Sequence, residues 1–432
     1  MHKILAAIFM IMIFAGAHAA LAQPRPVVAV DSIAALEGLD GAKYPNVSVT
    51  GYYAGTAKGG GEFVWQPGNA SAPDNCTLFE GIGPGRWQRR MGNVLDVTMC
   101  GAKWDNNTDD AGAISAAFTA ASRAGLTVSC PGGTGNVGTT VAPASFARVV
   151  FKCQGMEAST INCTMKAGRP CFLFQSPIGT AAIQAPQIYD VSFTAATGPA
   201  APSVIIQYNR IAGGFTDTSS TQNYMMRPIV QRVIVSGGAI AIQCSKCFDG
   251  DFSLDTLFNQ ERHGFDIEGS DWMSIGDAGS NRITNSGDYP IKLVSHGTFG
   301  NGDLVSHNDI LIPKHGVGAY IYSSARSAYI EKNYFEGRTE GACEIKIDIG
   351  AAQAIVRENH VTDRTVKNWL CVVPLLRQGE FSSNITTSHG QGPALFESRG
   401  EWKDLLLRHA LVHSGNWSEA GFPGSWLAPV LP

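Results

Sequence analysis

Asp266 and Glu268 stand two residues apart in Phe265-Asp-Ile-Glu268, a stretch that alternates apolar and polar residues as a strand does. Alternation sends both carboxylates to one face. At about 3.3 Å of rise per residue their Cα atoms lie about 6.6 Å apart. Paired carboxyls hydrolyse glycosidic bonds with inversion when separated by about 6.5 to 9.5 Å, and with retention at about 5 to 5.5 Å. This spacing fits inversion. The surrounding residues offer a second chemistry, removal of the proton alpha to a sugar carboxyl, which needs a base and a positive charge for the developing enolate. Lys292, His263, His296 and Tyr322 are candidate bases; Arg262, or a Ca²⁺ held by Asp266 and Asp271, would supply the charge. Tyr289, Tyr320 and Tyr322 add rings that stack on sugar faces, and Glu344 and Lys346 add polar contacts. Ordinary surface pairing is the competing explanation, because Glu268 and Lys292 would meet as an ion pair on neighbouring rungs about 4.8 Å apart.

Such residues need a frame that sets them side by side, and a repeat supplies it. Asn281-Arg-Ile283, Asn308-Asp-Ile310, Asn333-Tyr-Phe335, Asn359-His-Val361 and Asn384-Ile-Thr386 recur at intervals of 27, 25, 26 and 25, and Asp255-Thr-Leu257 lies 26 before the first. A period in this range marks stacked units that bury their apolar faces on one another. The unit is too short for a helix pair. Its other segments, Phe265-Asp-Ile-Glu, Ile291-Lys-Leu, Tyr320-Ile-Tyr and Cys343-Glu-Ile-Lys-Ile, alternate like strands. The pattern predicts an all-β, single-stranded, right-handed parallel β-helix of about 25 residues per coil. An Asn at an inward bend would then bond its copies above and below. Ile267, Leu293, Ile321 and Ile345 are expected to point inward, leaving the charged and aromatic residues outside.

The rest of the chain is consistent with an exported protein. Residues 1–22 carry Lys3, an apolar run and small residues at Ala17-His-Ala and Ala20-Leu-Ala, the form of a secretory signal, so a secreted or periplasmic location is expected. No later stretch is long and apolar enough to span a bilayer. The net charge of −4 argues against nucleic acid as a partner. All ten Cys follow the signal, an even number that favours disulfides. The expected pairs are Cys76–Cys100, Cys130–Cys153, Cys163–Cys171, Cys244–Cys247 and Cys343–Cys371. Residues 23–93 read as a small β-rich module, with a short helix near Asp31 to Gly38 capped by Asp31 or Ser32, then a Gly-rich hairpin turn. The solenoid is expected over 94–397. A helix at 109–124, capped by Thr108 or Asp109 and burying Ile114, Ala117, Phe118 and Ala121, would close its open end. Residues 398–432 are expected to cover the other end, or alternatively to make an oligomer contact in a homotrimer.

The run VTMCGAKWDNNTDDAGAISAAFTAASRAGLTVSCPGG at 97–133 resembles the entry segment of the pectate-lyase-like β-helix superfamily, whose members carry GAKGDGxTDDTxAIxxA, a helix, and a strand ending in PxG. Residues 51–75 and GRWQRR at 85–90 resemble the small module that precedes it in secreted polysaccharide-active proteins and phage tailspikes. Trp104 and Asn106 stand where the pattern has glycines. The resemblance covers residues 31–133. It implies a polysaccharide partner lying in a groove over one parallel sheet, and it carries no catalytic residue. On that basis the groove residues point to polysaccharide cleavage, by β-elimination on a uronate polymer ahead of hydrolysis. A binding protein without catalysis is the remaining alternative.

Overall fold

Apolar residues recurring at coil intervals find burial only against their own copies, and the chain solves this by winding. The structure, a computed structural model, describes residues 27–177, 181–209, 224–296, 300–311, 319–336, 343–348, 351–362, 368–372, 378–386, 411–414 and 417–418. The expected signal at 1–22 lies outside the described residues. The fold is the expected parallel β-helix with a small β-sheet before it.

In the N-terminal sheet, Ser32 caps the helix Ile33–Glu37 by accepting the Ala35 N–H at 3.3 Å. The Gly-rich stretch turns Asn46–Gly51 back onto Gly59–Pro67, which pairs antiparallel with Gly85–Arg89. Trp65, Trp87, Phe63 and Phe79 fill the core of this sheet. Buried Arg89 gives hydrogen bonds to the carbonyls of Cys76, Gly59 and Met99, and the Cys76–Cys100 disulfide makes a second tie to the chain that enters the solenoid.

The helix Ala111–Ala124 buries Ile114, Ala117, Phe118 and Ala121 as expected, and Gly125 ends it at φ 68°. Its N-cap differs: Asp110 holds that position while its carboxylate accepts the N–H groups of Lys103 and Trp104, and Asp109 accepts those of Ala111 and Gly138. Trp104 and Asn106 adopt φ 52° and 58°, the left-handed region that glycine occupies without cost.

Beyond the helix, parallel ladders run along the axis, and one buried core extends from Leu95 to Leu370. One ladder has eight strands: Phe172–Phe174, Ile206–Tyr208, Ile240–Ser245, His263–Glu268, Ile291–Val294, Ile321–Ser324, Cys343–Ile347 and Asn368–Val372. Leu411–Ser414 pairs with Gln378–Ser382 and Trp417–Ser418 with Ile385–Thr386, so these parts of the C-terminal stretch continue the ladders. Four expected disulfides form, Cys76–Cys100, Cys130–Cys153, Cys163–Cys171 and Cys244–Cys247. The side chains of Cys343 and Cys371 lie outside the described residues; the ladder sets Cys343 opposite Asn368 and Cys371 opposite Lys346.

The asparagines form the predicted column. Nδ2 of Asn281, Asn308, Asn333 and Asn359 each donates to Oδ1 of the next, at 3.0, 2.8, 3.0 and 2.9 Å. Each of these amides, and that of Asn384, also reaches a carbonyl of the preceding coil: Phe252, Ile275, Val305, Ile330 and Val356. Leu254, His307, Lys332, Glu358 and Ser383, each one residue before a ladder position, hold φ between 56° and 62°. That sharp bend turns the next side chain inward, and the satisfied amides offset its strain.

Asp255 begins this column. Its Oδ1 accepts the Val233 N–H at 2.9 Å, while its buried Oδ2, in the place of an amide nitrogen, has no hydrogen-bond partner. Burial pushes its carboxyl well above the ordinary range, and Asp251 adds to the rise. An Asn there would supply the missing donor. Asp255→Asn is therefore expected to stabilise the fold by about 1–3 kcal/mol, the cost of an unsatisfied buried group. A raised folded pKa means the native state binds the extra proton, so wild type loses stability as pH climbs above about 4. The gap between variant and wild type should widen with pH in urea unfolding; a gap that is constant or shrinks would show that Asp255 does not carry the strain.

Candidate functional site

Register along the eight-stranded sheet stacks one outward residue per strand. Gln207, Gln243, Asp266, Lys292, Tyr322 and Lys346 are successive Cα partners and form a single column. The inward neighbours Phe265, Ile291, Ile321 and Ile345 on one side, and Ile267 and Leu293 on the other, anchor the strands in the core.

The column is hydrogen-bonded at its centre. Gln207 donates through Nε2 to Gln243 Oε1, and Gln243 Nε2 donates to Asp266 Oδ2 at 2.9 Å. Lys292 Nζ then meets Asp266 Oδ1 at 2.9 Å and Glu268 Oε1 at 3.2 Å. Two contacts on one nitrogen place the engaged oxygens, Asp266 Oδ1 and Glu268 Oε1, within about 6 Å of each other, so the two carboxylates face the same ammonium. The Asp266 side chain is 3 % exposed, that of Lys292 18 % and that of Glu268 28 %, so Glu268 is the carboxylate open to the groove. Burial pulls the Lys292 ammonium down, but Asp266 and Glu268 outweigh it and hold it above its ordinary value. A lysine held as a cation is a poor base.

The two histidines differ. His263 is buried, with Nδ1 at 3.0 Å from the Tyr289 carbonyl and its ring 5.9 Å from the Tyr289 ring; this placement keeps it beneath the surface. Burial lowers its pKa against the pull of Asp266. His296 is half-buried near Glu268 and Lys292, and burial likewise lowers its pKa, which leaves a neutral imidazole. Tyr289 and Tyr322 pack 4.9 Å apart and wall the column. Burial raises the Tyr322 hydroxyl, with Asp348 adding, so it too is a poor base. Lys346 pairs with Asp348 at 3.1 Å and lies over the Tyr322 ring. Arg262 stands at the strand entry, 4.0 Å from Asp288.

Tyr320 corrects the expectation. It precedes strand Ile321–Ser324 at the bend, where alternation does not yet hold, and turns into the core against Phe335 at 5.2 Å. It is unavailable to a substrate in the groove. Glu344 lies on strand Cys343–Ile347, and its side chain lies outside the described residues. Sequence reading missed Gln207 and Gln243, although Ile206-Gln-Tyr208 and Ile242-Gln-Cys244 carry the same in-out-in signal as Phe265-Asp-Ile267.

A Ca²⁺ held by Asp266 and Asp271 does not fit. Asp271 Oδ1 already accepts the N–H groups of Gly300 and Asn301 and the Asn301 amide, and the Lys292 ammonium occupies the cation position beside Asp266. Among the described residues, no three His, Cys, Asp or Glu side chains converge as a metal site.

The family described as phage tail protein small four-stranded beta-sheet domain matches residues 29–92. No curated protein matches the sequence. Among solved structures, the gp49 tailspike of Acinetobacter baumannii bacteriophage Fri1, titled a capsular polysaccharide depolymerase, superposes with a TM-score of 0.61 at 12% identity, over 90% of this chain and 74% of that one. The tailspike of Acinetobacter phage vB_ApiP_P1 gives 0.58 at 16% identity, over 91% and 70%. Tailspike protein 2 of Escherichia coli O157:H7 bacteriophage CAB120 gives 0.51 at 12% identity, over 86% of this chain and 50% of that one. The chain thus spans half to three quarters of these neighbours' lengths. At such identities the likeness shows the fold.

Lys292 is the hinge of the electrostatics. Lys292→Met leaves a buried Asp266 without its cation and is expected to cost about 3 kcal/mol. Adding Asp266→Asn should restore at least half, because the amide needs no counter-charge. If Lys292→Met unfolds in urea like wild type, the pair contributes nothing to the native state.

Proposed function

We propose that this chain cleaves a polysaccharide seated along the outer face of the eight-stranded sheet, by hydrolysis at Asp266 and Glu268. The observation that carries this is the shared ammonium: Lys292 touches both carboxylates and draws them together on the groove side of the sheet. Asp266, accepting from Gln243 and Lys292 on its two oxygens, serves as the ionised partner. Glu268, the more exposed of the two, serves as the acid to the leaving oxygen. Oxygens within about 6 Å favour retention of configuration over the inversion that strand spacing suggested. Tyr289 and Tyr322 would stack on sugar faces beside the cleaved bond.

The β-helix shared with a spike titled a capsular polysaccharide depolymerase supports a polysaccharide as partner, and so does the resemblance of residues 31–133 to the pectate-lyase-like superfamily. Four disulfides and the signal-like leader support a place outside the cytoplasm, secreted or periplasmic. Elimination on a uronate is the second reading. The neutral imidazole of His296 beside Glu268 favours it, being the one candidate base in the groove that is not charged, buried beneath Tyr289 or raised.

The test is a panel of acidic and neutral polysaccharides, read for new reducing ends and for the unsaturated-uronate chromophore. Hydrolysis predicts reducing ends without the chromophore, a retained anomer in the first product by NMR, and no loss of rate in EDTA. Glu268→Gln and Asp266→Asn should each lower kcat by about 10²- to 10⁴-fold. The chromophore would move the chemistry to His296, and tight retention of a polymer without any product would make the chain a binding protein.

A further inference from the structure

The charges along the groove carry information about the sugar that fits there. Among the described side chains on the outward side of the sheet, Asp266, Glu268 and Asp348 stand against Lys292 and Lys346, three carboxylates to two ammoniums. Each ammonium is engaged: Lys292 by two carboxylates, and Lys346 by Asp348 at 3.1 Å. At the strand entry Arg262 is matched by Asp288. The two histidines add no charge, since burial holds both imidazoles below their ordinary values. Arg326 lies beyond the sheet, exposed at the bend after Ser324. Among the described side chains, what remains for a ligand is neutral: the second amide N–H of the half-buried Gln243, and the tilted pair of rings Tyr289 and Tyr322.

We infer that the sugar unit seated over Lys292 is uncharged, a neutral or N-acylated hexose rather than a uronate, and that any acidic units of the polymer lie away from the cleaved bond. This deepens the hydrolytic reading and rests on the same site. A carboxylate placed there would meet a net negative cluster whose cation is already satisfied twice over. It would break an ion pair without gaining a free positive charge. An uncharged pyranose leaves the Asp266–Lys292–Glu268 arrangement intact and gains from ring stacking and amide hydrogen bonds.

The experiment uses the mature full chain on an acidic polymer whose repeat holds one uronate and at least two consecutive neutral units, and on the same polymer after chemical reduction of its carboxyls. Mass spectrometry of the products identifies the sugars on both sides of the cut. Neutral sugars at both new ends support the inference. A saturated uronate at either new end overturns it while leaving hydrolysis standing, and an unsaturated uronate overturns both. The reduced polymer should show a KM lower by about tenfold at low salt, the effect of one like charge at close range in partly solvated surroundings, with the difference narrowing as salt screens it. Equal KM values at low salt, or a lower KM for the acidic form, count against the inference. If neither polymer is cut, affinity electrophoresis decides: stronger retention by the reduced polymer supports the inference, and stronger retention by the acidic polymer overturns it.

Discussion

Every coil of this molecule must satisfy its buried polar groups with the coils above and below, and that axial bonding is the constraint on which the remaining structure depends. A parallel ladder alone fixes backbone spacing but tolerates a slip in register, and a slip of one residue would exchange the inward and outward sets of a strand. The asparagine column removes that freedom. Asn308, Asn333, Asn359 and Asn384 each accept a bond from the preceding amide, the last three also from the N–H of the preceding Asn, and Asn281 accepts the Asp255 N–H, while every Nδ2 reaches a carbonyl one coil back. A shifted coil would leave several buried donors without acceptors, each at a cost of about 1–3 kcal/mol. Once the column is set, the position of every strand around it follows.

The site is a consequence of that register. Strands in a parallel ladder lie about 4.8 Å apart, so a lysine opposite an aspartate reaches it easily and also reaches the carboxylate two residues along the same strand. Lys292 does both. The arrangement trades a possible base for a fixed cation and trades two independent carboxylates for a coupled pair. Gln243 completes it from the other side, because an amide that donates to Asp266 must turn its oxygen toward Gln207. The orientation of each polar side chain is thus determined by the next one along the axis.

Much of this was legible in the sequence, and the failures have a common cause. The Asn repeat gave the coil period and the inward bend; the Ala-rich run gave a helix with its buried face at Ile114, Ala117, Phe118 and Ala121; cysteine spacing gave four bridges. These are local patterns or simple periods. Tyr320 was misplaced because alternation holds within a strand and not at the bend that enters it. Asp110 was overlooked as a cap because its carboxylate serves Lys103 and Trp104 instead of the helix. Gln207 escaped because its coil is longer: Ile206 and Ile242, one in-register step apart, are separated by 36 residues, against 26 between Phe265 and Ile291, while Gln243 escaped because it lies before Asp255, where the repeat begins. The shared ion pair was hidden for a different reason, since Cα spacing along a strand says nothing about a cation one rung away that contacts both side chains.

The entry end shows how much variation this architecture absorbs without touching the site. Trp104 occupies a left-handed position suited to glycine and still buries its ring, and it does so against Gly135, where a Cβ would come within 2.4 Å of that ring. The strain of one bulky residue is met by the absence of a side chain on the strand it covers. Asp110 secures the same turn by accepting the Trp104 and Lys103 N–H groups, and Arg89 with the Cys76–Cys100 bridge holds the small sheet to it. All of these contacts lie before the first strand of the eight-stranded sheet, and three strands of that sheet, the first included, separate that end from Asp266. In a solenoid each coil bonds its neighbours, so a change at the cap reaches the groove only through the intervening rungs. The cap is free to diverge while the Asp266–Lys292–Glu268 cluster is held by its own.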